Sequence, residues 1–87
     1  MTFQGAVIKE QGVTFALVVV KKHVIDNKTQ ANNMIKTFQQ SVFRGKPVVL
    51  MAQNHRGRPT YYGRRDISRF MASVPLRAVR WKKYSLS

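Results

Sequence analysis

The run Phe3–Glu10 has the pattern of a strand. Gln11-Gly12 supplies a two-residue turn, in which glycine accepts positive φ. Val13 to about Val24 is predicted as the return strand. In that register Ile8 faces Phe15 and Ala6 faces Leu17 on one side. Val7 faces Ala16 and Gly5 faces Val18 on the other. From Val13 to Val20 apolar residues point to both sides, which predicts a central strand covered on both faces.

The period then changes. Ala31, Met34, Ile35, Phe38 and Val42 fall at helical spacing and make one apolar stripe, so a long helix is expected over Asn27–Phe43. Asp26 or Asn27 can cap it, and Asn27 with Gln30 approximates a capping box. Gly45 and Pro47 mark its stop.

The second half is more broken. Pro47–Gln53 is expected as a strand with Val48–Met51 as its core. Asn54-His55-Arg56-Gly57-Arg58-Pro59 is a cluster of turn residues, and Thr60–Tyr62 returns as a short strand. Asp66 is expected to cap a short helix to Val74 that buries Ile67, Phe70, Met71 and Val74. Val74-Pro75 ends it, because proline disfavours helical backbone in the residue before it. Leu76–Leu86 is expected as a last, basic strand. The expected fold is α+β: a two-layer sandwich of four or five strands, in the order β-β-α-β-(β)-α-β, with one long and one short helix. All 87 residues make one domain.

Charge changes the picture most. Sixteen Lys and Arg face three acids, for a net +13. Residues 1–43 hold five Lys and two acids, a net +3; residues 44–87 hold eleven Lys and Arg and one acid, a net +10. All eight Arg lie in the second half. Arginine presents a planar fork of donors suited to phosphate. A field of this size speeds encounter with any polyanion. The chain has no cysteine, which excludes disulfides, thiol nucleophiles and thiolate zinc sites. The absence of a disulfide and of a leader-like start favours the cytoplasm. The longest apolar run, Phe15–Val20, is too short to span a bilayer, so no membrane partner is expected.

The three acids exclude further chemistry. Glu10 sits beside a turn, and Asp26 and Asp66 sit at helix starts. Paired-carboxylate and two-metal hydrolysis need several inward-facing carboxylates, so neither a catalytic set nor a metal site is expected, and no cofactor. His23 and His55 match no metal-ligand spacing. His55 beside Arg56 and Arg58 does have the ingredients of a metal-independent ribonuclease, a base and cations for the phosphate.

Arg56-Gly57-Arg58-Pro59 resembles the four-residue core of the AT-hook. The resemblance implies an extended segment in the minor groove of A·T-rich DNA, with both arginines reaching along the groove floor. The flanks depart from the pattern, since Tyr61 and Tyr62 follow inside a folded domain.

Two aromatic-basic clusters complete the candidates: Tyr61, Tyr62, Gly63, Arg64 and Arg65, and Arg80, Trp81, Lys82, Lys83 and Tyr84. Trp81 is expected in the core. The leading expectation is a non-enzymatic nucleic-acid-binding domain, for DNA or RNA. Arg56, Arg58, Arg64, Arg65, Lys82 and Lys83 would neutralise phosphates, with Tyr61 and Tyr62 stacking or touching a groove. The alternatives are a ribonuclease with His55 as base and Arg56 or Arg64 on the phosphate, and a module for an acidic protein partner.

Overall fold

A computed structural model describes residues 1–10 and 12–86. Strands β1 (Thr2–Glu10) and β2 (Val13–Val19) form an antiparallel hairpin. Its register pairs Gly5 with Val18, Ala6 with Leu17, Val7 with Ala16 and Ile8 with Phe15, as the alternation predicts. Gly12 takes φ 78° at the turn; Gln11 lies outside the described residues.

Beyond β2 the structure differs from expectation. The strand ends at Val19, and Lys22–Asp26 forms a short helix, α1. The chain must leave the sheet here to begin a crossover, and α1 turns it. Its Val24 is buried with Ala31 and Phe38, and Ile25 packs against the same cluster. Helix α2 (Lys28–Gln40) follows, capped by Asn27, whose Oδ1 accepts a hydrogen bond from the Gln30 N–H at 3.0 Å. The cap is therefore Asn27; Asp26 closes α1 and pairs with Lys22. The helix stops at Gln40, short of the expected Phe43, but Phe43 is still buried in the core below it.

Strand β3 (Val48–Gln53) runs parallel to β2, with Val19 opposite Met51. Strand β4 (Pro59–Tyr62) returns antiparallel to β3, and helix α3 (Arg65–Ala72) leads away from it. Only Lys82–Ser85 of the expected last strand is extended, as β5, antiparallel to β1. Leu76–Ala78 is instead a 3-10 turn. Val79 is buried beside Ala6 and Met71, so the segment is drawn across the sheet before it can pair.

The five-stranded sheet has the order β4-β3-β2-β1-β5. The expected two layers of sheet and long helix are present: α2 lays Ala31 and Phe38 on Ala16, Val18, Val48 and Leu50. The other face is covered as well. Ile67 and Met71 of α3, with Val79, pack on Ala6, Phe15, Leu17 and Val49, which adds a partial third layer. This explains why Phe15–Val18 is apolar on both sides: all four residues are buried.

On the α2 face an aromatic group ties β5 to the core. Phe3 lies 4.7 Å from Phe38 between ring centres, and Tyr84 stacks on Phe3 at 5.5 Å with planes 15° apart. Tyr84 also meets Phe43 edge-on at 5.1 Å. Gly5 makes this closeness possible. A Cβ there would stand 2.7 Å from the Leu17 carbonyl oxygen and 3.4 Å from both Phe3 and Tyr84.

Candidate nucleic-acid interface

The β3–β4 connection is a tight, internally bonded turn. Asn54 Oδ1 accepts from the backbone N–H of Arg56 at 2.9 Å and of Arg58 at 3.0 Å. The Gly57 N–H donates to the Asn54 carbonyl at 2.9 Å, and Gln53 Nε2 donates to the Gly57 carbonyl at 3.0 Å. Gly57 adopts φ 78°, a conformation glycine takes without steric cost. This closed turn differs from the extended form that the AT-hook resemblance implies, because Asn54 gathers the backbone donors inward. Arg56 and Arg58 are left exposed at its tip, with His55.

The turn lies past the end of β2, on a strand that α1 flanks and whose Ala52 is buried. Val19, the last residue of β2, is level with Met51, so Ala52 and Gln53 carry the hairpin two residues further. At about 3.4 Å per residue that is ~7 Å before the turn begins. Because β2 and β3 are parallel neighbours, the segment after β2 emerges at the same end of the sheet. It brings Lys21, Lys22 and His23, all exposed, on a helix that packs against β3, and Lys28 opens α2 beside it. The sequence places Lys21, Lys22 and His23 in the expected return strand and Lys28 in the expected long helix. The signal for α1 was present in Lys22 and Asp26, which are spaced i, i+4 and form an ion pair at 3.2 Å.

The other expected site residues are dispersed. Tyr61 and Tyr62 point to opposite faces of β4, and each is half-buried against its own core. Tyr62 packs beneath α2 and donates its hydroxyl to Asn32 Oδ1 at 2.9 Å. Tyr61 packs on the α3 side, where its buried hydroxyl has no hydrogen-bond partner and burial raises its pKa. Trp81 packs against the α3-side core and Tyr84 against the α2-side core.

Arg64 and Arg65 lie at the far end of β4 from Arg58, six residues on, or about 20 Å of extended chain. His55 and Arg64 are accordingly at opposite ends of that strand; of the two arginines in the ribonuclease reading, Arg56 is the one beside His55. Arg64 is engaged by Asp66: Nη2 lies 2.7 Å and Nε 3.1 Å from its two carboxylate oxygens. Asp66 is thus the second residue of α3 and an arginine partner, where a cap was expected. The hydrogen bond from Arg64 holds the Asp66 carboxyl below its ordinary value, and the same pair raises the Arg64 guanidinium. Lys82 and Lys83 are on β5, the opposite edge of the sheet from β4. Four strand spacings, about 19 Å, separate the two edges, although Lys82 pairs with Gly5 and is so level with Val18, two spacings from the end of β2.

Glu10 and Asp66, remote in sequence, both line a shallow groove of about 130 Å³ with Val13, Phe15, Ile67 and Phe70. No helix of the described residues is long and apolar enough to cross a membrane. No protein-family model, curated protein or solved structure matches the chain.

Proposed function

We propose that the chain is a non-enzymatic nucleic-acid-binding domain whose interface is the basic end of the sheet, where β2 and β3 finish. One observation carries this reading. The fold gathers two cationic segments far apart in sequence, Lys21–Lys22 and Arg56–Arg58, at the C-terminal ends of adjacent parallel strands. Asp26, a carboxylate at that end, is held by Lys22 at 3.2 Å. The contacts are made by Arg56, Arg58, Lys21, Lys22 and Lys28 to phosphate oxygens. Tyr61 and Tyr62 support the hairpin from within rather than touching the ligand. Lys82 and Lys83 guard an exposed strand edge, since charged side chains discourage edge-to-edge pairing.

Phosphate contact of this kind releases counterions, so the logarithm of affinity falls linearly with the logarithm of salt, by about 0.9 per phosphate on duplex and ~0.7 on single strands. Fluorescence anisotropy with DNA and RNA over a range of salt concentrations tests the proposal. A slope of roughly −3 to −5 is expected from five cations. Binding that is absent, or unaffected by salt, refutes it.

A further inference from the structure

We infer that the partner is double-stranded, and that the β3–β4 turn enters a groove of the duplex with Arg56 and Arg58 leading. The inference rests on the nucleic-acid-binding reading and narrows it. Proteins that hold single strands depend on exposed aromatic rings, on which unpaired bases stack. Each aromatic that the sequence places among cations is partly buried against one of the two cores. Tyr61 and Trp81 pack into the α3-side core, and Tyr62 and Tyr84 into the α2-side core. Phe3, Phe38 and Phe43 form the interior cluster with Tyr84. At the turn tip and in the segment after β2, Arg56, Arg58, Lys21, Lys22 and Lys28 are exposed, with the imidazoles of His23 and His55. Such a surface gains most from the highest density of phosphates, and a duplex carries one charge per ~1.7 Å of its axis.

Shape points the same way. The turn begins ~7 Å past the end of β2, and a two-stranded β-ribbon fits the major groove of B-form DNA, about 12 Å wide. Arginine makes a bidentate pair with the guanine edge there. The tip is also rigid before it binds. Two hydrogen bonds to Asn54 and one from Gln53 fix the backbone that carries both arginines, so little ordering is left to cost affinity. The major groove of A-form RNA is too deep and narrow to admit it.

The test compares a 20-base-pair DNA duplex, either of its strands alone, and an RNA duplex of the same sequence, at one salt concentration. The DNA duplex should bind about ten-fold tighter than each of the others. Arg56→Ala with Arg58→Ala should remove most of that preference. Lys82→Gln with Lys83→Gln removes the same charge from the far edge and should preserve it. Circular dichroism confirms that both double variants stay folded. Equal or tighter binding of the single strand overturns the duplex inference while leaving the binding reading intact. RNA duplex equal to DNA duplex overturns the groove assignment, as does a preference unchanged in the Arg56, Arg58 variant. Absence of binding to all of them sinks the underlying reading itself.

Discussion

The two edge strands look alike in sequence and behave differently in the fold. Both β4 and β5 are four residues long, and both lie within clusters of aromatics and cations. In both regions the aromatics alternate across the sheet, one to each core: Tyr61 and Tyr62 in β4, Trp81 and Tyr84 around β5. The cations are placed differently. In β5 they are in the strand itself, as Lys82 and Lys83, both exposed. In β4 they flank it, as Arg58 before and Arg64 after, while Pro59 occupies the edge itself. A proline removes a donor from an edge and lysines crowd it with charge, so each strand has its own guard against edge pairing. The arginines around β4 are therefore not needed for that task. Similar composition conceals two uses of charge, one protective and one available for a ligand.

The comparison breaks most readily at the anchors. Tyr84 holds β5 by stacking on Phe3 and meeting Phe43 edge-on. Tyr84→Ala should cost about 3 kcal/mol of stability, from lost burial and lost aromatic pairing. The urea midpoint measures it. Duplex binding by the folded fraction should be unchanged, because β5 is three strand spacings, about 14 Å, from β3 and the turn that follows it. A parallel loss of affinity would show that the two edges act together.

A smaller effect is expected at the β3–β4 tip. Asn54→Ala leaves the Arg56 and Arg58 N–H groups without their acceptor. The turn is exposed, so water replaces part of the loss, and the cost should be about 1 kcal/mol. The sharper readout is binding: Arg56 and Arg58 remain, yet their backbone is no longer fixed, so affinity for duplex should fall several-fold at constant charge. Affinity equal to the unaltered protein would mean that total charge alone decides, and that the contrast between the edges carries no function.

These outcomes turn on features unequally legible in the sequence. The β1–β2 register was readable because a two-residue turn and the pattern of side chains leave one pairing that buries the apolar residues. The α2 stripe and the Asn27 cap were readable for the same local reason. Helix α1 was not, since Val18–Val20 run directly into Lys21-Lys22-His23-Val24 and a short apolar run does not separate strand from helix. The last strand was overextended because Val79 and Trp81 alternate as strand residues do, although tertiary packing sets their positions. The proposed interface is legible in the sequence only in part. Arg56 and Arg58 could be picked out from the turn chemistry. Their neighbours Lys21 and Lys22 could not, because the parallel pairing of β2 with β3 joins segments more than thirty residues apart. That Tyr61 and Tyr62 each pack against a core is not legible either, since composition does not say which side of an edge strand is covered.

The smallest effect tests where the interface stops along β4. Arg64 is held by Asp66 through two hydrogen bonds, and Asp66 titrates below its ordinary value chiefly because of them. A lowered folded value means that the pair's contribution to stability is present above the ordinary aspartate range and is lost as the pH falls through the lowered value. Both groups are exposed, so solvent screening keeps that contribution slight. The informative measurement is the Asp66 carboxyl titration by NMR. In the free protein Arg64→Gln should return it toward the ordinary range. With duplex bound to the unaltered protein it should stay low, because Arg64 keeps its partner and the ligand occupies the opposite end of β4. An upward shift on binding would mean that a phosphate has drawn Arg64 away, or that the polyanion lies close enough to oppose the carboxylate's charge. Either would extend the interface along the whole β4 edge and make Arg64 a ligand contact.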